Sequence, residues 1–412
     1  RRRPAAVLLA QALLGAVGLA ACEDGADPTY REPEPTLREL ALAAGLRHAP
    51  SEPVRPVENP YDADRVELGH LLFFDPITSG PQDVACSTCH LPRFGLSDGR
   101  QFPAGAGATG LGPERTDPEP TPPLRLMPRN SLTTVNLGLF GRMSPEPHIN
   151  ATMFWGGQAF GLEDQVLAPI AADNELRGMT YSKAAATDSV VARLRTIPEY
   201  VDLFRAAYPM LQGASVETLV TPLTLRRALA AYLRELITDR APIDRFLAGE
   251  DTALTALQKE GLRLFTGEAG CAACHAGPLL SDFSMHVLGV AQQGLGRDTT
   301  PGDDIGWAEV GGTPYAFRTP QLRQVTLTAP YFHAGTAETL DDVIRFKNAG
   351  VSARPDTVTP GMLDSRMRPL GLTEPEIAAL VALMAAFTDT LSIAEPLFVA
   401  PPSVPSGLII PK

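Results

Sequence analysis

Two five-residue stretches constrain this chain more than anything else in it: Cys86-Ser87-Thr88-Cys89-His90 and Cys271-Ala272-Ala273-Cys274-His275. Cys-x-x-Cys-His is the attachment signature of a c-type haem. The two thiols add across the porphyrin vinyl groups, and the adjacent imidazole reaches the iron from the same side. A four-cysteine zinc site has no use for a histidine in fifth place, and a redox dithiol does not need one either. The doubled motif therefore predicts two covalent haems, held by Cys86, Cys89, Cys271 and Cys274, with His90 and His275 on the irons.

The chain has 412 residues, five cysteines and a net charge of -12. Its length suffices for two or three domains with real cores. The acidic balance, with no basic block beyond Arg1-Arg2-Arg3, argues against nucleic acid as a partner. Four cysteines belong to the haem motifs, so no disulfide pair remains. The fifth, Cys22, follows Leu19-Ala20-Ala21 and an apolar run behind the three arginines. That run reads as a secretory signal peptide over residues 1–21, too short for a comfortable membrane span. The small residues before Cys22 resemble a bacterial lipoprotein box, which implies a periplasmic protein touching the membrane only through a lipid on Cys22.

Residues 22–57 read as the anchored tether and linker, with helical periodicity over Leu37–Leu46 inside them. Stronger periodicity over Asp62–Phe74 predicts a helix stopped by Asp75-Pro76. The residues from Phe102 to Pro128 are rich in Gly, Pro and Thr and predict a long, flexible surface loop. Helices are expected over Gly161–Ile170, Ser182–Leu194 and Pro198–Tyr208, and a longer one over Ser215–Thr238 that Pro222 kinks or interrupts. Thr255 and Gln258 have capping-box spacing ahead of a helix that ends near Thr266. Leu279 to Gly312 reads as irregular, Ala337–Phe346 and Glu374–Thr388 as helical, and 393–412 as a Pro-rich tail that wraps or frays. The fold class is mainly α: two cytochrome c-like haem domains, 58–248 and 249–392, with long irregular loops and few short strands, forming a loose internal repeat.

With these elements in place the sequence resembles the bacterial di-haem cytochrome c peroxidase and MauG family over roughly residues 58 to 390. Three segments carry the likeness: Leu68-Gly69-His70-Leu71-Leu72-Phe73-Phe74-Asp75; Phe154-Trp155-Gly156-Gly157-Gln158 with Gln165 and Glu175; and Phe317-Arg318-Thr319-Pro320 with Ala329-Pro330-Tyr331-Phe332-His333. The resemblance implies that the N-terminal haem meets peroxide and the C-terminal haem receives electrons. It implies Trp155 as the relay between the haems, and Gln165 and Glu175 as the catalytic pair above the first. It also implies a calcium ion bound by Asn130, Thr328 and Pro330. A carboxylate in a low-dielectric pocket suits the proton transfers of peroxide cleavage, and amide and carbonyl oxygens suit calcium.

Two departures stand out. The activatable peroxidases carry a blocking histidine in the loop after the first haem motif; here position 106 is Ala, and the next histidine after His90 is His148. The first iron is therefore expected to be open. Fourteen residues after the histidine matching His333, where the family places Met or Tyr, stands Lys347. Lysine binds iron only when neutral, which requires burial. Met285, His286, Met362 or no ligand at all are the alternatives. Of the other histidines, His48 reads as a linker residue, His70 as solvated or propionate-facing, and His333 as a hydrogen-bonding support for the second haem. The implied activity is reduction of hydrogen peroxide with electrons from a small cytochrome c or cupredoxin. A MauG-like oxidation of Trp or Tyr on a partner protein, and a non-catalytic electron carrier, are the alternatives.

Overall fold

The helix Ala63–Phe74 begins at Asp62, whose carboxylate accepts from the Arg65 backbone N–H, an N-cap of the preferred kind. It crosses the helix Pro222–Glu235 at Gly69, where an added Cβ would stand 2.0 Å from the Ala228 carbonyl oxygen. The second half of the chain repeats the device. Thr255 and Gln258 form the expected capping box of the helix Ala256–Thr266, and this helix crosses Glu374–Ala385 at Gly261, where a Cβ would stand 2.1 Å from the Ala379 carbonyl oxygen. Each pair leads into one haem motif, so glycine in mid-helix is used here for close approach of backbones.

The computed structural model describes residues 34–116, 126–140, 152–292 and 303–411. The stretch read as a signal peptide, Cys22 and His148 lie outside them. Within 36–412, which form one compact unit, the architecture is mainly helical. The strands among the described residues are two short antiparallel pairs, Thr152–Met153 with Ala159–Phe160 and Met285–Val287 with Ala316–Arg318. The second pair draws part of the 279–312 stretch, read from sequence as irregular, into regular structure.

Buried apolar side chains form two main cores. The first gathers Leu68, Leu72, Phe73, Tyr200, Leu229 and Tyr232, and the second Phe246, Leu262, Phe265, Leu380 and Phe387. Membership passes from one core to the other between Leu236 and Ala241, somewhat ahead of residue 249. The chain ends cross over. The helix Leu37–Ala43, inside the stretch read as tether, packs Ala41 into the second core, and Leu46 bridges to Gly277. The Pro-rich tail wraps rather than frays: Phe398, Val404 and Ile410 join the first core.

His70 is not solvated, and it is not among the residues that line either main cavity. It is buried, stacks on Tyr232 at 5.1 Å, and hydrogen-bonds the Val399 carbonyl of the tail at 2.9 Å. Asp75, fully buried, accepts from Tyr200 Oη at 2.5 Å and Ser406 Oγ at 2.7 Å, so the residue that stops the helix also receives the tail. The long helix expected over 215–238 is two helices, Val216–Leu219 and Pro222–Glu235. Pro222 has no N–H to donate and takes the first helical position behind the Thr221 cap, where none is needed.

Replacing Gly69 or Gly261 by Ala should destabilise the protein by about 1–3 kcal/mol, the usual range for overpacking, because backbone rather than a flexible side chain occupies the space. Denaturant midpoints of the two variants check this. A gain in stability, the normal result of Gly to Ala in an open helix, would show that the crossings are looser than described.

Candidate haem centres

Each Cys-x-x-Cys-His motif places its histidine in the same setting. His90 Nδ1 lies 2.9 Å from the Leu96 carbonyl oxygen, and His275 Nδ1 lies 2.9 Å from that of Leu280. With Nδ1–H donated to a carbonyl, the lone pair is on Nε2, and the ring is oriented as a metal-binding imidazole requires. Burial keeps both rings neutral, lowering the His90 pKa and bringing His275 down to about 4. The residues that supply the acceptor carbonyls are themselves held in an unusual conformation: Leu96 has φ +59° and Leu280 φ +53°, the left-handed region that L-residues with bulky side chains avoid. The next residue is a serine in both cases. Ser97 Oγ donates to the Ser131 carbonyl and Ser281 Oγ to that of Thr319, each at 2.8 Å. The repeat thus runs past the motifs to Leu96-Ser97-Asp98 and Leu280-Ser281-Asp282, a signal visible in the sequence that motif counting passes over.

The thiols beside these rings are free and half-buried. Burial first, then the Glu175 carboxylate, pushes Cys86 up to about 12, and burial raises Cys271 to about 11. A neutral imidazole beside two thiols, with Cys86, Cys89 and His90 lining one cavity and Cys274 and His275 lining the other, fits a covalently attached haem at each motif.

Phe73, Cys86, Cys89, His90, Trp155, Gln165 and Glu175 line the first cavity. Gln165 closes the helix Leu162–Gln165, and its Oε1 is buried without a partner. Glu175 is fixed through its backbone: its carbonyl accepts from Ala106 N at 2.7 Å, and a Cβ on Gly105 would stand 2.4 Å from that same oxygen. The described part of the 102–128 stretch is therefore tied down rather than the flexible loop expected of it. In its described part the buried Arg115 donates to the carbonyls of Ala104 (2.6 Å), Gly105 (2.7 Å) and Gly110 (2.8 Å), and the bridges Ala104–Leu126 and Thr109–Thr116 close it. Ala106, at the position of the absent histidine, packs against Gly178.

Cys274, His275, Thr328, Pro330, His333 and Lys347 line the second cavity. Lys347 projects from the helix Leu340–Ala349, and burial lowers its pKa to about 8; its Nζ lies 3.8 Å from Met367 Sδ. The other groups considered for the second iron are committed elsewhere. His286 has Nδ1 2.7 Å from Asp364 and Nε2 3.0 Å from Asp282, Met285 packs with Val287 and Ala316, and Met362 is 36% exposed. Cys274, Asp282 and His286 bring ligand atoms within 4.8 Å of one another, but the Cys274 thiol belongs to the haem motif. His333 stacks on Phe317 at 3.6 Å between ring centroids and pairs with Gln292 at 3.0 Å. His48 is exposed on the linker.

Trp155, Asn130 and Arg318 line both cavities. Trp155 is buried between them and donates from Nε1 to the Asn130 carbonyl at 2.8 Å. Asn130 donates from its amide N–H to the Arg100 carbonyl at 2.7 Å.

The profile of the family described as di-haem cytochrome c peroxidase matches residues 63–252. The cytochrome-c peroxidase IdrP1 of Denitromonas iodatirespirans is 34% identical over 396 residues, covering 89% of this chain and 92% of the relative. The chain belongs to the di-haem cytochrome c peroxidase family. The methylamine utilization protein MauG of Methylorubrum extorquens is likewise 34% identical, over 98% of this chain and 99% of its own. Among solved structures, a MauG-like protein associated with microbial copper homeostasis superposes with a TM-score of 0.69 at 26% identity, covering 86% of this chain and 97% of that one. Family membership implies two haems, in agreement with the two sites.

Mass spectrometry of the protein should show two haem additions, and C86S/C89S should leave one. A single addition in the parent protein would exclude one of the two cavities.

Proposed function

We propose that this chain is an exported di-haem c-type peroxidase that reduces hydrogen peroxide to water, taking electrons from a small cytochrome c or cupredoxin. The observation that carries this reading is the orphaned Gln165 Oε1, which with Glu175 and His90 lines the first cavity. A pure electron carrier has no use for an unsatisfied buried acceptor in its haem cavity, since burying such a group costs stability.

The haem held by Cys86, Cys89 and His90 supplies the redox chemistry. The protein's part is positional and protonic. Gln165 orients peroxide by a hydrogen bond. Glu175 takes the proton from one peroxide oxygen and delivers it to the other as the O–O bond breaks, and two electrons and two further protons complete two waters. Trp155, in van der Waals reach of both cavities and hydrogen-bonded to Asn130, is the relay. Asn130, Thr328 and Pro330 line one wall of the second cavity and hold the calcium ion in this reading. The two cores correspond to a peroxidatic and an electron-transfer haem domain. The lipid anchor on Cys22 and the periplasmic address belong to the same proposal, resting on the Ala20-Ala21-Cys22 pattern and on haem attachment outside the cytoplasm. No helix among the described residues is long and apolar enough to cross a membrane.

A second reading has specific support: the MauG relative spans nearly the whole chain, and Ala106 removes the blocking histidine. In it the same oxidising equivalents act on Trp or Tyr of a partner protein. Turnover of peroxide with a reduced small redox protein, set against a small exported protein encoded nearby, separates the two.

The fully oxidised protein should react with peroxide in stopped-flow without prior reduction, and E175Q should slow that reaction roughly 10²–10⁴-fold with the haem spectrum intact. A silent oxidised protein would mean that another group, such as His148, caps the iron; an unchanged rate in E175Q removes Glu175 from the mechanism.

Lys347 is the proposed sixth ligand of the second haem. Electron paramagnetic resonance and near-infrared charge-transfer bands should report one high-spin haem and one low-spin haem with nitrogen ligation. K347M should convert the latter to a methionine-type or high-spin signature. Unaltered low-spin signals in K347M would point to another ligand, with Met367 the neighbour placed for it.

A further inference from the structure

Arg318 stands where the two cavities share a wall, and its bonding is incomplete. Its backbone N–H donates to the Trp155 carbonyl at 2.8 Å and its Nε to the Phe154 carbonyl at 2.9 Å. The guanidinium carbon lies over the rings of Phe140 and Phe283, at 5.2 and 5.4 Å. Nη1 is buried with no partner, and the residue is only 5% exposed. Burial pulls its pKa down to about 10, with no carboxylate acting to raise it.

The internal repeat sharpens the point. Ser131 and Thr319 occupy matching places as acceptors for Ser97 and Ser281, so Arg318, just before Thr319, stands where the first half has the neutral Asn130, and the buried arginine to compare it with is Arg129, one residue further upstream. Arg129 is answered by Asp304 at 2.6 Å and Glu309 at 2.7 Å. Among the described residues Arg318 has no such answer. A guanidinium stays protonated in proteins, and an uncompensated buried charge is strongly destabilising. The missing anion must come from what fills the cavities, and each haem carries two propionate carboxylates on the porphyrin edge opposite its thioether links. Aromatic faces on two sides and backbone carbonyls on a third leave Nη1 as the free prong of a planar fork that suits a carboxylate.

We propose that Arg318 is the counter-ion of a haem propionate at the wall between the two cavities, and that it raises the reduction potential of that haem. This rests on the two-haem reading. A cation near the porphyrin favours the reduced iron, which carries one positive charge fewer. Without it the propionate charge acts on the iron uncompensated and the oxidised form gains.

The test is spectroelectrochemical titration of the full-length haem-loaded protein and its R318Q and R318K variants, each first weighed for two haems. R318Q should lower the reduction equilibrium constant of one haem at least tenfold, about 59 mV for one electron, and R318K should restore most of the shift. Potentials of both haems unchanged within twofold in R318Q overturn the proposal. If R318Q fails to retain both haems, the haem-loaded structure of the unaltered protein decides. Nη1 within about 3 Å of a propionate oxygen, the range of a charge-assisted hydrogen bond, supports the pairing, and a separation beyond about 4 Å overturns it. A parent protein that carries no haem by mass fails the two-haem reading itself, a result distinct from either outcome.

Discussion

The hydrogen bond from a histidine Nδ1 to a leucine carbonyl is the interaction on which the rest of this structure depends. It fixes the tautomer of His90 and His275 and aims each ring into its cavity. The acceptor carbonyls point correctly only because Leu96 and Leu280 sit in left-handed backbone, a strain of order 1–3 kcal/mol each that the surroundings must impose. Ser97 and Ser281 impose it by bonding to the Ser131 and Thr319 carbonyls. Those acceptors flank Asn130 and Arg318, which line both cavities, so the geometry of one imidazole is continuous with the wall between the sites.

On this shared frame the two halves diverge in chemistry. The first cavity presents Gln165 and Glu175 on a segment pinned by Gly105 and Ala106. The second presents Lys347, whose burial brings its pKa to about 8, on a helix capped by Thr339 and Asp342. In the proposed reading this contrast is the difference between a site that admits a substrate and one that passes electrons. The sequence difference behind this contrast is a handful of residues.

Much of this was legible in the sequence. The doubled motif announces the two haems that family membership implies, and the helices over 63–74, 256–266 and 374–385 follow from periodicity and caps. The sequence is weakest where long-range contacts decide. Arg115 organises a Gly- and Pro-rich loop by donating to three carbonyls, which no local pattern announces. His70 looks like a surface residue until the tail covers it. Pro222 was legible as a disturbance, but whether it kinks a helix or starts one depends on the Thr221 cap and on the crossing at Gly69. The Leu-Ser-Asp repeat after each motif was readable, and the sequence reading stopped one motif short of it. Arg318 lay within a recognised segment, yet its missing counter-charge appears only in three dimensions.

The crossed chain ends have a mechanical consequence. The helix Leu37–Ala43 is bound into the second core and residues 396–410 into the first, so each half holds the other's terminus, like two hands gripping opposite wrists. Domains joined by a single linker move relative to one another by default; these two cannot part without one core losing a strand of its own packing. Trp155 lines both cavities at the wall between them, and in the relay role proposed for it a clasp of this kind would keep the tunnelling distance steady. The clasp also means that the first core draws its packing from residues more than three hundred positions apart, Leu68 and Leu72 at one end and Phe398, Val404 and Ile410 at the other.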